Sequence, residues 1–187
     1  MSFADFLRRV VVALDACGVP YMATGGVALL AHGEPRFTAD ADLLIAPTEA
    51  SLECFLGRRE PDWYVSTEAA HAAFRERAMF NLIETSTGWK ADLIVMGDEP
   101  FETSALSRRR VISALGITLY GVSPEDLVLS KLRWAATTDS EKQIHDVFGI
   151  LGVQRGALDE EYQRRFARQL GVERTLEKLR LDAKGLT

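Results

Sequence analysis

Apolar positions along the chain follow two periods, and the switch between them marks the elements. Phe3, Phe6, Leu7, Val10, Val11 and Leu14 recur at helical spacing, which predicts an amphipathic helix stopped by Gly18. Val19-Pro-Tyr-Met-Ala is then a short apolar run. It leads through Thr24-Gly25-Gly26 into Val27-Ala-Leu-Leu-Ala, a strong helix former, so the stretch reads as strand, glycine turn, helix. Leu43-Leu-Ile-Ala46, entered through Asp40-Ala-Asp42, is short and apolar enough to be a buried strand that ends before Pro47. A helix capped at Thr48, a short strand over 62–66 and a helix over 69–77 follow. Met79-Phe-Asn-Leu-Ile-Glu84 and Trp89-Lys-Ala-Asp92-Leu-Ile-Val-Met form a hairpin about the polar turn Thr85-Ser-Thr-Gly88. Next come a short helix from Phe101 and two strands, 108–113 and 117–122, joined at Leu115-Gly116.

From Ser123 the pattern is helical throughout. Ser123-Pro124-Glu125-Asp126 is a strong helix start, with Ser as N-cap, Pro at the first helical position and acids in the first turn. Lys131 falls inside the apolar stripe of Leu127, Val128, Leu132 and Ala135, so it must either snorkel out or point its ammonium at a buried anion. Glu141 to Leu151 is a second amphipathic helix burying Ile144, Val147, Phe148 and Leu151, with Lys142 and Asp146 read as an i,i+4 surface pair. Leu158 to Leu181 gives two charged helices separated near Gly171.

Composition narrows the class. With 187 residues the chain can bury one sizeable core, or a core with a helical appendage, and 47% apolar content needs neither a disulfide nor a metal to fold. Arginines precede the first apolar run as in a signal peptide, but Asp15 cuts that run short and Gly18-Val-Pro offers no small-residue cleavage site. No run approaches a membrane span, so a cytoplasmic protein with no membrane partner is expected. Cys17, Cys54 and the three histidines form no zinc pattern and no convincing disulfide framework, so the cysteines are expected to stay unpaired in a reducing compartment. A net charge of −5 argues against a broadly basic nucleic-acid surface. The Arg108–Arg110 cluster is expected to solvate a strand edge, and Arg164, Arg165, Arg168, Arg174, Lys178 and Arg180 a helical face, with local contacts to a polyanion left open.

Two short devices carry candidate chemistry. The Gly25-Gly26 turn brings bare N–H groups and a helix N-terminus to one place, where phosphate oxygens are favoured; a plain tight turn needs the same glycines. Asp40 and Asp42, two apart on a strand, share a face and repel each other unless something cationic lies between them. A divalent metal meets that need, and oxygen ligands suit magnesium; a solvated or turn-capping Asp-x-Asp is the alternative. Brought close together, a phosphate cradle and a paired-carboxylate site are what phosphoryl or nucleotidyl transfer requires.

The string Gly25-Gly26 followed by Arg36-x-Thr38-x-Asp40-x-Asp42 resembles the nucleotidyltransferase superfamily of polymerase-beta type, in particular the minimal branch with AbiEii-type toxin nucleotidyltransferases. The likeness covers most of residues 19 to 151 in outline and 25 to 45 closely. It implies an α/β (α+β) nucleotidyltransferase core of mixed sheet and helices over residues 1–122, then a helical region, 123–187. It implies that Asp40 and Asp42 hold Mg2+ (or Mn2+), that Asp92 is the third acid, and that Gly25, Gly26 and Lys131 bind the phosphates of a nucleoside triphosphate, with Arg36 a further phosphate contact. Lys131 stands where the family's Ser-Pro-Glu-Asp-Leu-x-x-x-Lys segment has its lysine. The next helix departs from the family pattern, with Gln143 in place of an acid and the leading arginine missing. The implied reaction moves a nucleoside monophosphate to an acceptor hydroxyl, with tRNA or another RNA as acceptor and an antitoxin protein as partner. A non-catalytic nucleotide-binding or interaction protein and an antibiotic nucleotidyltransferase stay open as alternatives.

Overall fold

The computed structural model describes residues 2–33, 38–58 and 60–184. Its centre is a seven-stranded mixed sheet of β1 (Tyr21–Ala23), β2 (Asp40–Ile45), β3 (Trp63–Val65), β4 (Met79–Glu84), β5 (Lys90–Val95), β6 (Arg110–Ala114) and β7 (Ile117–Gly121), in the order β3-β4-β5-β2-β1-β7-β6. The pairs β2/β5 and β1/β7 are parallel and the rest antiparallel. Because strand side chains alternate, each strand serves two layers.

One face of the sheet is closed. Ala41, Leu43 and Ile45 of β2 and Ala91, Leu93 and Val95 of β5 are buried against helices α1 (Phe3–Ala16), α3 (Glu49–Gly57) and α4 (Thr67–Glu76). Helix α1 starts at a capping box in which Ser2 accepts from the Asp5 N–H and the Asp5 carboxylate accepts from the Ser2 N–H, and it sends Phe6, Leu7, Val10 and Leu14 into that core. Helices α1 and α3 lie on the same face, and this corrects the expectation for the cysteines: Cys17, the C-cap of α1, forms a disulfide with Cys54 in α3, their Cα atoms 5.6 Å apart. No local pattern marks that pairing, because the cysteines are 37 residues apart and only the shared core brings them together.

The opposite face carries a second core. Met22, Leu29, Met96, Phe101 and Val122 pack with apolar residues of α5 (Pro100–Ser107), α6 (Pro124–Thr138), α7 (Glu141–Val153), α8 (Glu160–Gln169) and α9 (Glu173–Lys184). Among the described residues no helix is long and apolar enough to cross a membrane.

The start of α6 joins these helices to the sheet. Ser123 caps the helix as expected, but Glu125 and Asp126 are buried as well as serving the helix dipole. The Tyr162 hydroxyl of α8 donates to Asp126 at 2.6 Å, and the Asp159 N–H donates to Glu125 at 3.1 Å. The arginine cluster solvates a strand edge only at Arg110, which is exposed at the start of edge strand β6. Arg108 caps α5 and stacks 3.8 Å over the Tyr162 ring, near Glu125, Asp126 and Asp159, while Arg110 reaches Glu125 and Arg109 lies over Tyr120.

Candidate functional site

The parallel pairing of β2 with β5 sets Asp42 directly opposite Asp92 and Asp40 opposite Lys90. Adjacent strands lie about 4.8 Å apart, so the two facing carboxylates are close neighbours of like charge. Asp40, Asp42, Lys90 and Asp92 all occupy positions that alternate with buried Ala41, Leu43, Ala91 and Leu93, and so project from the face away from the first core. β4 adds Asn81, opposite Asp92 on its other side.

The glycine turn meets this group from β1. Thr24 follows the strand, its N–H donates to the Asp42 carbonyl at 2.9 Å, and α2 (Gly25–His32) begins at once. Gly25 has φ +54°, and a Cβ there would lie 1.9 Å from Asp42 Oδ2. A Cβ on Gly26 would lie 2.6 Å from Thr38 Oγ1, which itself donates to the Asp40 carbonyl at 2.8 Å. Both glycines are therefore required by close approach, and at Gly25 also by backbone conformation. The Gly26 N–H donates to the Asp42 carboxylate, so the first turn of α2 already faces an anion. Burial raises the Asp42 carboxyl above its usual range, the charges of Asp92 and Asp40 push it further, and the Gly26 N–H and the Lys131 charge pull it back.

Lys90 and Asn81 escape the motif reading. Lys90 Nζ donates to Asp92 Oδ2 at 3.1 Å and lies 4.0 Å from Asp40 Oδ2, while Asn81 Nδ2 donates to the other oxygen, Asp92 Oδ1. The hydrogen bond to Asp92 and the charges of Asp92, Asp40 and Asp42 hold the Lys90 ammonium above its ordinary range, against a smaller effect of burial. A signal was present in both cases: Lys90 lies two residues before Asp92, and Asn81 is the amide among Met79, Ile83 and their apolar neighbours on an alternating strand.

As a donor set for a metal, three carboxylates on one face suit a hard divalent cation, and the Asp42 carboxyl is raised first by its burial and then by the charges of Asp92 and Asp40. Among the described residues, however, no three His, Cys, Asp or Glu side chains are already gathered tightly enough to hold a metal ion. Asp92 and Asp40 instead gather around the Lys90 ammonium.

Lys131 is buried at 4% exposure and does not snorkel. Its ammonium donates to Asp146 Oδ2 at 2.7 Å and to Gln143 Oε1 at 3.0 Å, both on α7. Asp146 is buried too, which corrects its reading as the surface partner of Lys142. Lys131 still acts on the carboxylates, since its charge lowers the Asp42 carboxyl. Thus Gly25, Gly26, Asp40, Asp42 and Asp92 come together and Lys131 stands within electrostatic reach; Arg36 lies outside the described residues. Next to the carboxylates the same sheet face continues through Leu44 to a cleft of about 370 Å³, lined by Met22, Leu44, Met96, Phe101 and Trp134 among others.

No family model and no curated protein sequence matches the chain. Solved structures do. ANT(2'')-Ia, in a crystal structure with adenylyl-2''-tobramycin, superposes with a TM-score of 0.60 at 17% identity, over 88% of this chain and 96% of that one. An antigenic nucleotidyltransferase-like protein from Paracoccidioides brasiliensis superposes with a TM-score of 0.54 at 18% identity, over 91% and 88% of the two chains. The chain therefore shares its fold with nucleotidyltransferases, on a mixed sheet flanked by helices.

Proposed function

We propose that the protein transfers a nucleoside monophosphate from a nucleoside triphosphate to an acceptor hydroxyl. The observation that carries this reading is the in-register pair Asp42 and Asp92, with the Gly25-Gly26 end of α2 pressed against Asp42. Gly25 and Gly26 present helix N-terminal N–H groups to the β- and γ-phosphates, and Lys131 adds positive charge on the same side. Arg36 is retained as a phosphate contact on the resemblance alone. Asp40, Asp42 and Asp92 would hold Mg2+ or Mn2+, which supplies Lewis-acid stabilisation of phosphoryl oxygens and lowers the pKa of a bound hydroxyl. The acceptor oxygen forms a bond to the α-phosphorus, the bond from that phosphorus to the bridging oxygen breaks, and pyrophosphate leaves with the electron pair. Asp92, on the acceptor side, receives the hydroxyl proton.

Charge pairing bears on the acceptor. Several of the arginines that would grip an RNA pair with acids of the same chain: Arg108 and Arg110 with buried Glu125, and, at the surface, Arg164 with Glu160 and Glu177 and Arg168 with Glu173. This favours a small hydroxylated acceptor, as in the antibiotic-resistance factor ANT(2'')-Ia, over tRNA or another RNA in a toxin–antitoxin pair.

Titration calorimetry with each ribonucleoside triphosphate should show binding that requires magnesium. Labelled triphosphate incubated with total RNA, total protein and an antibiotic panel should then label the small-molecule fraction. Asp92→Asn should keep triphosphate affinity within about tenfold, about 1.4 kcal/mol, while transfer falls by a factor on the order of 10² or more. Asp40→Asn should damage both. Transfer at the wild-type rate by Asp92→Asn would remove Asp92 from the reaction.

A further inference from the structure

We infer that Lys90 is a resident cation that fills the gap between the β2 and β5 carboxylates and must give up Asp92 Oδ2 before a divalent metal can bridge the two strands. This rests on the transfer reading above and adds to it a device for controlling when the site loads. The two oxygens of Asp92 are divided. Asn81 holds Oδ1 from β4, while Lys90 holds Oδ2 from the same strand as Asp92 and leans to within 4.0 Å of Asp40 Oδ2. An ammonium 3.1 Å from Asp92 Oδ2 and 4.0 Å from Asp40 Oδ2 competes for the oxygens that a cation shared by these carboxylates would need. That arrangement accounts for three acids on one face without three acids gathered for a metal.

The two contacts on Asp92 differ in kind. Asn81 is a short neutral side chain across the ladder, so it can keep the carboxylate plane fixed while Oδ2 changes partner. Lys90 has a long flexible stem, and with a third of its side chain exposed it has somewhere to go. Its ammonium therefore relieves the repulsion among Asp40, Asp42 and Asp92 while no metal is present, and competes for the same oxygens when one arrives. A metal arriving with a triphosphate would have phosphate oxygens as further ligands, so Lys90 would hold Asp92 Oδ2 against it less effectively than against the free ion. Lys90 in this role is a positioning residue: it acts through the carboxylates and breaks no bond itself.

The competition can be read without turnover, by following free Mn2+ with electron paramagnetic resonance as it is titrated into the nucleotide-free protein. Lys90→Met should bind Mn2+ about tenfold more tightly than the wild type, the scale on which groups behind metal ligands act. Lys90→Gln, which keeps polarity without charge, should behave the same, and Lys90→Arg should stay near the wild type. The gain from Lys90→Met should disappear when Asp92→Asn is also present, because a positive charge acting only through space would not need that carboxylate. Equal or weaker Mn2+ binding by both neutral variants, or a gain that persists with Asp92→Asn, overturns the inference while leaving metal-dependent transfer standing. Absence of Mn2+ binding by every variant, with and without triphosphate, overturns both.

Discussion

Two groups of acids lie on the helical side of the sheet and use their charge in opposite ways. In the first turn of α6, Asp126 accepts from the Tyr162 hydroxyl on one oxygen and from the Ser123 hydroxyl on the other, each at 2.6 Å. Glu125 accepts from the Asp159 N–H and has the guanidinium groups of Arg108 and Arg110 at 3.4 and 3.6 Å. Both carboxylates are buried, and their donors come from the α6 cap, the C-cap of α5, the start of β6 and α8. At the β2/β5 pair, by contrast, the contacts among the described residues are those of the Lys90 ammonium and the Asn81 amide with Asp92, of the same ammonium with Asp40 at 4.0 Å, and of the Gly26 N–H with Asp42. The α6 acids are enclosed and take their hydrogen bonds from within the fold, although Glu125 Oε2 has no hydrogen-bond partner and burial still raises the Asp126 carboxyl. Like charges gathered on one sheet face, with few donors among the described residues, have the electrostatics of a binding site. The first group is scaffold and the second has the character of a site, although an Asp-x-Asp and a Glu-Asp look alike as text.

The comparison breaks most visibly at Arg108, which lies among three acids and stacks on Tyr162. Arg108→Ala should lower the free energy of unfolding by about 2–3 kcal/mol, less than the ~3–5 kcal/mol for a fully buried ion pair because Arg108 is 28% exposed and sits 3.4 Å or more from its acids. Triphosphate binding by the fraction still folded should be unchanged. Urea unfolding followed by circular dichroism, with calorimetry below the transition, checks both; a loss under about 1 kcal/mol would place Arg108 among surface ion pairs.

A smaller effect on stability and a larger one on binding are expected at Gly25. Alanine there must hold a left-handed backbone, at about 1–2 kcal/mol, and its Cβ would meet the Asp42 carboxylate. Gly25→Ala should therefore melt only slightly lower than the wild type yet lose magnesium-dependent triphosphate binding. Retained affinity would show that Asp42 can yield without harm to the site.

The cap of the first group and most residues of the second can be read without coordinates. Ser123-Pro124 announces the α6 cap by itself, and the short apolar runs within 40–46 and 89–96 announce strands, because these signals are local. The register that sets Asp42 against Asp92 is not local: β3, β4 and two helices lie between the strands, and only the resemblance proposed them as neighbours. Tyr162 and Asp159 are likewise more than thirty residues from the acids they hold, so Glu125 and Asp126 read as dipole acids and Arg108 as a solvated edge. Lys131 falls between these cases. Its place in an apolar stripe left a choice between snorkelling and a buried anion, and Asp146 read as a surface partner of Lys142, because nothing local says that α6 and α7 pack together.

The finest test of the comparison uses pH. Burial raises the Asp126 carboxyl above its usual range, and the hydrogen bonds from Ser123 and Tyr162 and the Arg108 charge recover only part of that shift. The folded protein then keeps a proton at Asp126 where the unfolded chain, titrating near pH 4, has lost it. The free energy of unfolding contributed by this group therefore falls as pH rises from about 4 through the raised folded value, and the penalty is fully present above it. Asp126→Asn cannot ionise, so its melting temperature minus that of the wild type should climb with pH across this window and then level off. Any constant offset reflects the altered hydrogen bonds. Asp5 in the α1 capping box supplies the opposite sign, because hydrogen bonds from Ser2 and then Arg8 lower its carboxyl to about 2. Its contribution is present above about pH 4 and is lost as pH falls toward the folded value, so the corresponding difference for Asp5→Asn should become more negative as pH rises to about 4. Calorimetric melts of the two variants from about pH 3 to 7 give one rising and one falling difference if Asp126 is held by enclosure and Asp5 by its donors; two curves of the same slope would mean that burial does not govern the α6 acid.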